Sequence, residues 1–124
     1  GDSRPLVLGQ VLQGMSPEDK PVAGSKNDPL MPIAWTKTYR GKDGQVGRVF
    51  TSTIGAASDF ESEGLRRLLV NASYWCLGLE DKIPQRADIR PVDPYRPTPF
   101  GFGKYKKGMR PSDYALTKRG HSTF

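Results

Sequence analysis

Cysteine and histidine are almost absent from this 124-residue chain, which holds one of each, Cys76 and His121. A single thiol cannot close an intramolecular disulfide, so the fold does not rest on a disulfide framework. One Cys and one His, 45 positions apart, form no ligand set at zinc spacing, and no metal site is expected. Long apolar runs are missing too. The longest, Leu65 to Leu79, is interrupted by Arg66, Arg67 and Asn71 and falls short of the roughly 20 apolar residues of a spanning helix. With 35% hydrophobic and 26% charged residues and a mean hydropathy of −0.59, the chain has the composition of one ordinary globular domain, and no membrane partner is expected. The N-terminus, Gly1-Asp2-Ser3-Arg4-Pro5, shows no initiator Met and no export pattern. The expectation is a piece of a longer chain whose address would be upstream, so the compartment stays open.

Acidic residues are scarce in one region only. Residues 1 to 81 hold nine Lys/Arg against ten Asp/Glu, whereas residues 82 to 124 hold ten against three. The whole net charge of +6 therefore comes from the tail, which also carries six of the eleven prolines. Proline fixes φ and removes a backbone donor, so the tail is expected to lack regular structure. The boundary falls near Asp81, dividing the chain into 1–81 and 82–124.

In the first part, Pro5 to Leu12 is a short apolar run that reads as a strand. Gln13 to Pro32 is turn material, rich in Pro, Gly, Asn and Asp. A loop of that length in a small domain is usually functional or mobile. Pro32 to Tyr39 alternates, with Ile33, Trp35, Lys37 and Tyr39 on one face and Ala34, Thr36 and Thr38 on the other. Gly47 to Ile54 follows a Gly-rich connection suited to an antiparallel hairpin. After Gly55 the period becomes helical: Leu65, Leu68/Leu69, Ala72, Trp75/Cys76 and Leu79 make one stripe. Ser58 with Glu61, or Ser62, can cap its start, and Gly78 lies near its end. Three strands and one helix bury too little for a self-sufficient domain. Trp35, Phe50 and Trp75 call for a larger core, completed by a missing N-terminal half or by a partner chain.

The succession Pro32-Ile33-Ala34-Trp35-Thr36-Lys37-Thr38-Tyr39, then Gly47-Arg48-Val49-Phe50-Thr51-Ser52-Thr53-Ile54-Gly55, then Gly64-Leu65-Arg66-Arg67-Leu68-Leu69-Val70-Asn71-Ala72 with Tyr74-Trp75 and Leu77-Gly78 resembles the C-terminal half of a ThuA-like (trehalose-utilisation) domain. The resemblance covers about residues 30 to 80. In flavour it is nearest to ThuA-like proteins of planctomycete-type bacteria, whose tails are similar to Pro97-Thr98-Pro99-Phe100-Gly101-Phe102 and Tyr105-Lys106-Lys107-Gly108. It implies a flavodoxin-like three-layer α/β sandwich of the class I glutamine amidotransferase-like superfamily, with the parallel sheet mostly upstream of Gly1. It also implies a link to carbohydrate utilisation and a sugar-derived small molecule as ligand.

One position departs from the family pattern. Members commonly have Gly-His where this chain has Gly55-Ala56, the place at which the related amidotransferases carry their catalytic His. In a Cys-His mechanism that imidazole deprotonates the thiol and later protonates the leaving group, and alanine can do neither. Cys76, on or beside the apolar helix face, is expected to be a buried structural thiol rather than a nucleophile. No amidotransferase-type Cys-His pair is therefore expected in this segment. Thr53, Ser58 and Asp59 are the ligand-binding candidates, placed past a strand and at a helix start where free N–H groups favour anions. The plain alternative is that Ser58 and Asp59 only cap the helix. Gly55-Ala56 and Gly101-Phe102-Gly103 lack a phosphate-binding glycine spacing, and no cofactor is suggested. Asn71-Ala72-Ser73 matches a glycosylation sequon but falls inside the helix.

In the tail, Lys104, Lys106, Lys107 and Arg110 are interleaved with Phe100, Phe102 and Tyr105. Cations with interleaved rings suit a polyanion, since cations neutralise its charge and rings stack on bases. The segment is short and unpatterned. The preferred reading is a strap in which Tyr95, Phe100, Phe102 and Tyr114 anchor an extended chain while the cationic heads stay in water, and on that reading nucleic acid is not the partner. Two functions follow: a ThuA-like sugar-related domain, or a non-enzymatic interaction module whose basic tail binds an anionic partner.

Overall fold

The computed structural model describes residues 2–98, 101 and 103–115, without the side chain of Tyr114. It is a small mixed α/β unit: a three-stranded antiparallel sheet and one α-helix, followed by a long extended tail. The strands are β1 (Arg4–Gly9), β2 (Met31–Arg40) and β3 (Val46–Ser52), and their spatial order is their chain order. The helix is α1 (Glu63–Cys76).

β2 and β3 form the expected hairpin. Ala34 pairs with Ser52, Thr36 with Phe50 and Thr38 with Arg48, in unbroken register to Arg40 and Val46. The connecting loop closes through Gly41 N–H to Gln45 O (2.8 Å) and Gly44 N–H to Gly41 O (3.0 Å). Gly44 sits at φ +79°, a conformation that a Cβ would strain. Asp43 Oδ1 accepts from Gln45 N–H. β1 pairs with β2 less regularly, with register shifts on both sides of Val7. The run predicted as Pro5 to Leu12 ends as a strand at Gly9.

The long connection after β1 is folded on itself. Leu12 bridges Pro21, Val22 N–H donates to Val11 O and Gln13 N–H to Lys20 O, both at 2.9 Å. Asn27 ties this small hairpin together: its Oδ1 accepts from Val11 N–H, and its Nδ2 donates to the carbonyls of Val11 and Val22, all within 2.8 Å. One amide side chain thus satisfies three backbone groups.

α1 starts where Ser62 Oγ accepts from Leu65 N–H (3.3 Å), so Ser62 is the cap and Ser58 is not. Residues Ala57–Glu61 form a separate 3-10 turn just before it. The helix ends in a Schellman arrangement three residues earlier than the apolar stripe predicts. Leu79 N–H reaches Tyr74 O (2.9 Å) and Gly78 N–H reaches Trp75 O (3.0 Å), with Gly78 at φ +71°.

α1 packs against β3 on the sheet face that carries Ala34, Thr36 and Phe50. Arg48 and its register partner Thr38 share that face with Ala34 and Thr36, and Arg48 reaches across to Trp75. Ala34 is fully buried and, with Leu65, Ala72 and Ile89, makes up the described core. Burying a Leu such as Leu65 contributes about 2 kcal/mol. No large side chain among the described residues is fully buried. Tyr39, on the opposite face, is 53% exposed, while Leu6 and Leu8 beside Val7 are 44% and 52% exposed.

Beyond a short 3-10 turn at Glu80–Lys82, the described residues of the tail hold no strand or α-helix, and a further 3-10 turn spans Pro111–Tyr114. Its first stretch packs as a strap over α1. Ile89 is buried, Arg66 Nε donates to Ile89 O (2.9 Å), and Tyr95 Oη donates to Ala57 O (2.7 Å). Tyr95 also meets Phe60 edge-on, with ring centroids 6.5 Å apart. Tyr95 thus anchors the chain as the sequence suggests; Phe100, Phe102 and His121 lie outside the described residues, as does the Tyr114 side chain.

Candidate functional site

The end of β3 and the turn before α1 hold the three ligand-binding candidates, and each has a local explanation. Thr53 closes the hairpin: its N–H donates to Ile33 O (3.0 Å) and its Oγ1 lies 3.4 Å from the same oxygen. Ser52 Oγ accepts from Ile54 N–H (3.0 Å), which turns the chain out of the sheet. Asp59 Oδ2 accepts from Ala56 N–H (2.9 Å) and Gly55 N–H (3.2 Å). The carboxylate therefore neutralises the N–H groups that would otherwise receive an anion. Ser58 is exposed and does not cap α1.

Next to this turn is an apolar groove of about 500 Å³ between β1, the end of β3 and the start of α1. Val7, Ile54, Leu65 and Leu68 form its walls, with Asp59 and Ser62 as its polar groups. Of the three candidates Asp59 alone reaches the groove; Thr53 and Ser58 are not among its lining residues. The arrangement can hold an apolar body and offers one acidic oxygen pair at its rim. It presents no nucleophile beside a base.

The cysteine is placed differently from the sequence expectation. Cys76 is exposed, not buried, because the Schellman turn ends α1 at this residue and carries the following chain away from it. It stands at the far end of α1 from Gly55-Ala56, and a 14-residue helix is about 21 Å long. A thiol–base pair spanning those two positions is ruled out by distance. Among the described residues, no three of His, Cys, Asp and Glu converge as metal ligands, and no helix is long and apolar enough to cross a membrane.

Two arginines that the sequence reading passed over organise the surroundings. Arg48, on β3, holds the end of α1: its guanidinium lies 5.2 Å from the Trp75 ring centroid, and Nη1 donates to Trp75 O (2.8 Å) and Glu80 Oε2 (2.6 Å). The hydrogen bond from Arg48 holds the Glu80 carboxyl below the ordinary glutamate range. Arg66 holds the start of α1. Besides Ile89 O it donates through Nη1 to Phe60 O (2.6 Å) and Glu61 O (2.9 Å), capping the carbonyl end of the 3-10 turn. No spacing rule marks either residue: Arg48 meets Trp75 and Glu80 from 27 and 32 positions away, and Arg66 is held by backbone carbonyls.

The four polyanion candidates are all at the surface. Lys104, Lys106, Lys107 and Arg110 are exposed, and the salt bridges of the described residues involve Arg48, Arg67, Lys82 and Arg90 instead. Asp113, the nearest acid in sequence, accepts from Arg110 backbone N–H (2.8 Å). Compared with protein-family models, with curated proteins and with solved structures, the chain matches none.

Proposed function

We propose that this chain is the C-terminal portion of a ThuA-like domain of the class I glutamine amidotransferase-like superfamily, with a role in carbohydrate utilisation and a sugar-derived small molecule as ligand. The observation that carries the reading is the order in which the motif falls on the elements. Pro32 to Tyr39 lies on β2, Gly47 to Ser52 on β3, and Gly64 to Trp75 on α1. On this reading a flavodoxin-like parallel sheet is supplied by further residues and covers the groove beside Val7, Ile54 and Leu68. The uncovered apolar groove supports it: Val7, Ile54, Leu65 and Leu68 wall a space of about 500 Å³ beside the sheet. The sugar site is then shared with the residues that complete the core, and glutamine hydrolysis is not its chemistry, because Ala56 replaces the base.

The test is the native polypeptide, measured by intact mass and light scattering and then titrated calorimetrically with mono- and disaccharides. The expected result is a chain longer than this one, with an α/β region before Gly1, that binds a sugar in a manner nearly indifferent to salt. A stable monomeric species of 13.7 kDa that unfolds cooperatively would overturn the reading. So would glutamine hydrolysis abolished by Cys76→Ala.

A further inference from the structure

The structure divides the basic tail into two unlike stretches. From Ile83 to about Pro97 the chain is a strap fixed by Ile89, Arg66 and Tyr95. From Gly103 to Asp113 every residue is exposed, Tyr105 among them at 72%. Of the rings that the strap reading names as anchors, Tyr95 is tied down through Ala57 O and Phe60. Tyr105, which that reading leaves out of its anchors, stands in water among the cations.

The exposed stretch is chemically one-sided. Between Asp93 and Asp113 there is no acidic residue, while Arg96, Lys104, Lys106, Lys107 and Arg110 all fall there. Four of these cations lie within seven positions, Lys104 to Arg110, around Tyr105. Gly103 and Gly108, at φ +67° and +77°, turn the chain on either side of the Tyr105-Lys106-Lys107 cluster. Unpaired cations held close together in water repel one another, and a stretch that keeps them so gains most from a ligand with repeating negative charge. An exposed ring between the cations adds a stacking surface, which a phosphodiester chain carrying bases can use and a protein carboxylate cannot.

We propose that residues 103–110 are a binding surface for single-stranded nucleic acid, with Lys104, Lys106, Lys107 and Arg110 on the phosphates and Tyr105 stacked on a base. This surface is independent of the sugar site and stands or falls separately from it.

The experiment is fluorescence anisotropy of the full 124-residue chain with a labelled oligothymidylate, an oligouridylate, a DNA duplex and heparin, across a salt series. Four phosphate contacts on a single strand predict a slope of log K against log salt near −2.8, so affinity falls about fifty-fold between 50 and 200 mM. K104Q/K106Q/K107Q should reduce that slope to roughly −0.7, whereas K20Q/K26Q/K42Q, which removes the same charge from other exposed lysines, should leave it nearly unchanged. Tyr105→Ala should weaken the oligothymidylate complex about tenfold and leave heparin unaffected. Equal binding of oligothymidylate and oligouridylate assigns the contact to the shared phosphate and base faces. A marked preference for one of them assigns the discrimination to the 2′-hydroxyl or the 5-methyl group, the two features in which they differ. The proposal is overturned by no binding to either strand at 50 mM salt, by equal losses in the two triple variants, by stronger binding to the duplex, or by a Tyr105→Ala variant that binds both strands like the parent.

Discussion

Gly78 shows how much of the fold rests on single backbone conformations. Its φ of +71° lets two N–H groups turn back onto the last carbonyls of α1, and an alanine there would carry its Cβ into the left-handed region. Gly78→Ala should therefore cost about 1 kcal/mol, read as a lower urea midpoint with an unchanged slope. Arg48 acts at the same helix end through three contacts, of which Glu80 supplies one. Arg48→Ala should lower the thermal midpoint more than Glu80→Gln does, since the latter keeps the Trp75 ring and carbonyl contacts. The pair also predicts a pH dependence. Glu80 has a folded-state pKa below its unfolded one, so its stabilisation is fully present above the ordinary glutamate value of about 4.3. It is lost as pH falls through the lower, folded value. A pH series of thermal midpoints should show Glu80→Gln and the parent converging in acid, and a constant gap down to the lowest pH would sink this assignment.

At the scale of elements, one polar side chain, Asn27, ties the long β1–β2 connection, while the strap is held by Ile89, Arg66 and Tyr95 together. Arg66 bonds carbonyls from the 3-10 turn and from the strap, and it can be removed without touching the sheet. Arg66→Met should cost roughly 2–3 kcal/mol, the range of hydrogen bonds from a charged donor. It should also expose the strap, so that limited trypsin digestion cuts after Arg86, which Ala87 follows, sooner than in the parent. Asn27→Ala would leave the Val22 carbonyl and the Val11 N–H without the Asn27 amide and the Val11 carbonyl with Val22 N–H alone, loosening the small hairpin while β2 and β3 persist. The hairpin and helix were legible in the sequence because alternation and 3.6-residue spacing are local, and cap chemistry left Ser58 and Ser62 as the two choices between which the structure selects Ser62. The Asn27 clamp was not, because Asn among turn residues reads as turn material, and its role depends on Val11 and Val22 lying side by side.

For the whole molecule, the decisive quantity is surface. An unfolded chain of this mass exposes about 20,000 Å², so the folded chain, exposing 11072 Å², buries about two-thirds of what a compact domain would. The urea slope scales with that area, and for the 124-residue chain it should be about two-thirds of the value for a compact domain of equal length. A full-sized slope would show that this core closes by itself and would count against an incomplete ThuA-like domain. The open groove beside Val7 and the exposed Tyr39, Leu6 and Leu8 further predict dye binding by the isolated chain, diminishing when the completing residues are present.

The sequence alone determined the strand and helix periods, the hairpin and the change of charge near Asp81, since each depends on residues near one another in the chain or on composition, and it narrowed the helix cap to Ser58 or Ser62. Only the tertiary structure decided which sheet face receives α1. The alternating pattern put Ile33, Trp35, Lys37 and Tyr39 on one face without saying which face is covered, and α1 packs against β3 on the side of Ala34, Thr36 and Phe50, where Arg48 reaches Trp75. Tertiary structure also decided that Cys76 faces water, that Asp59 spends its carboxylate on Gly55 and Ala56, and that the tail is a strap as far as Tyr95 and an exposed basic stretch from Gly103. Each of these depends on contacts between residues distant in sequence or on the exact place where a helix stops, and neither is encoded in a local period.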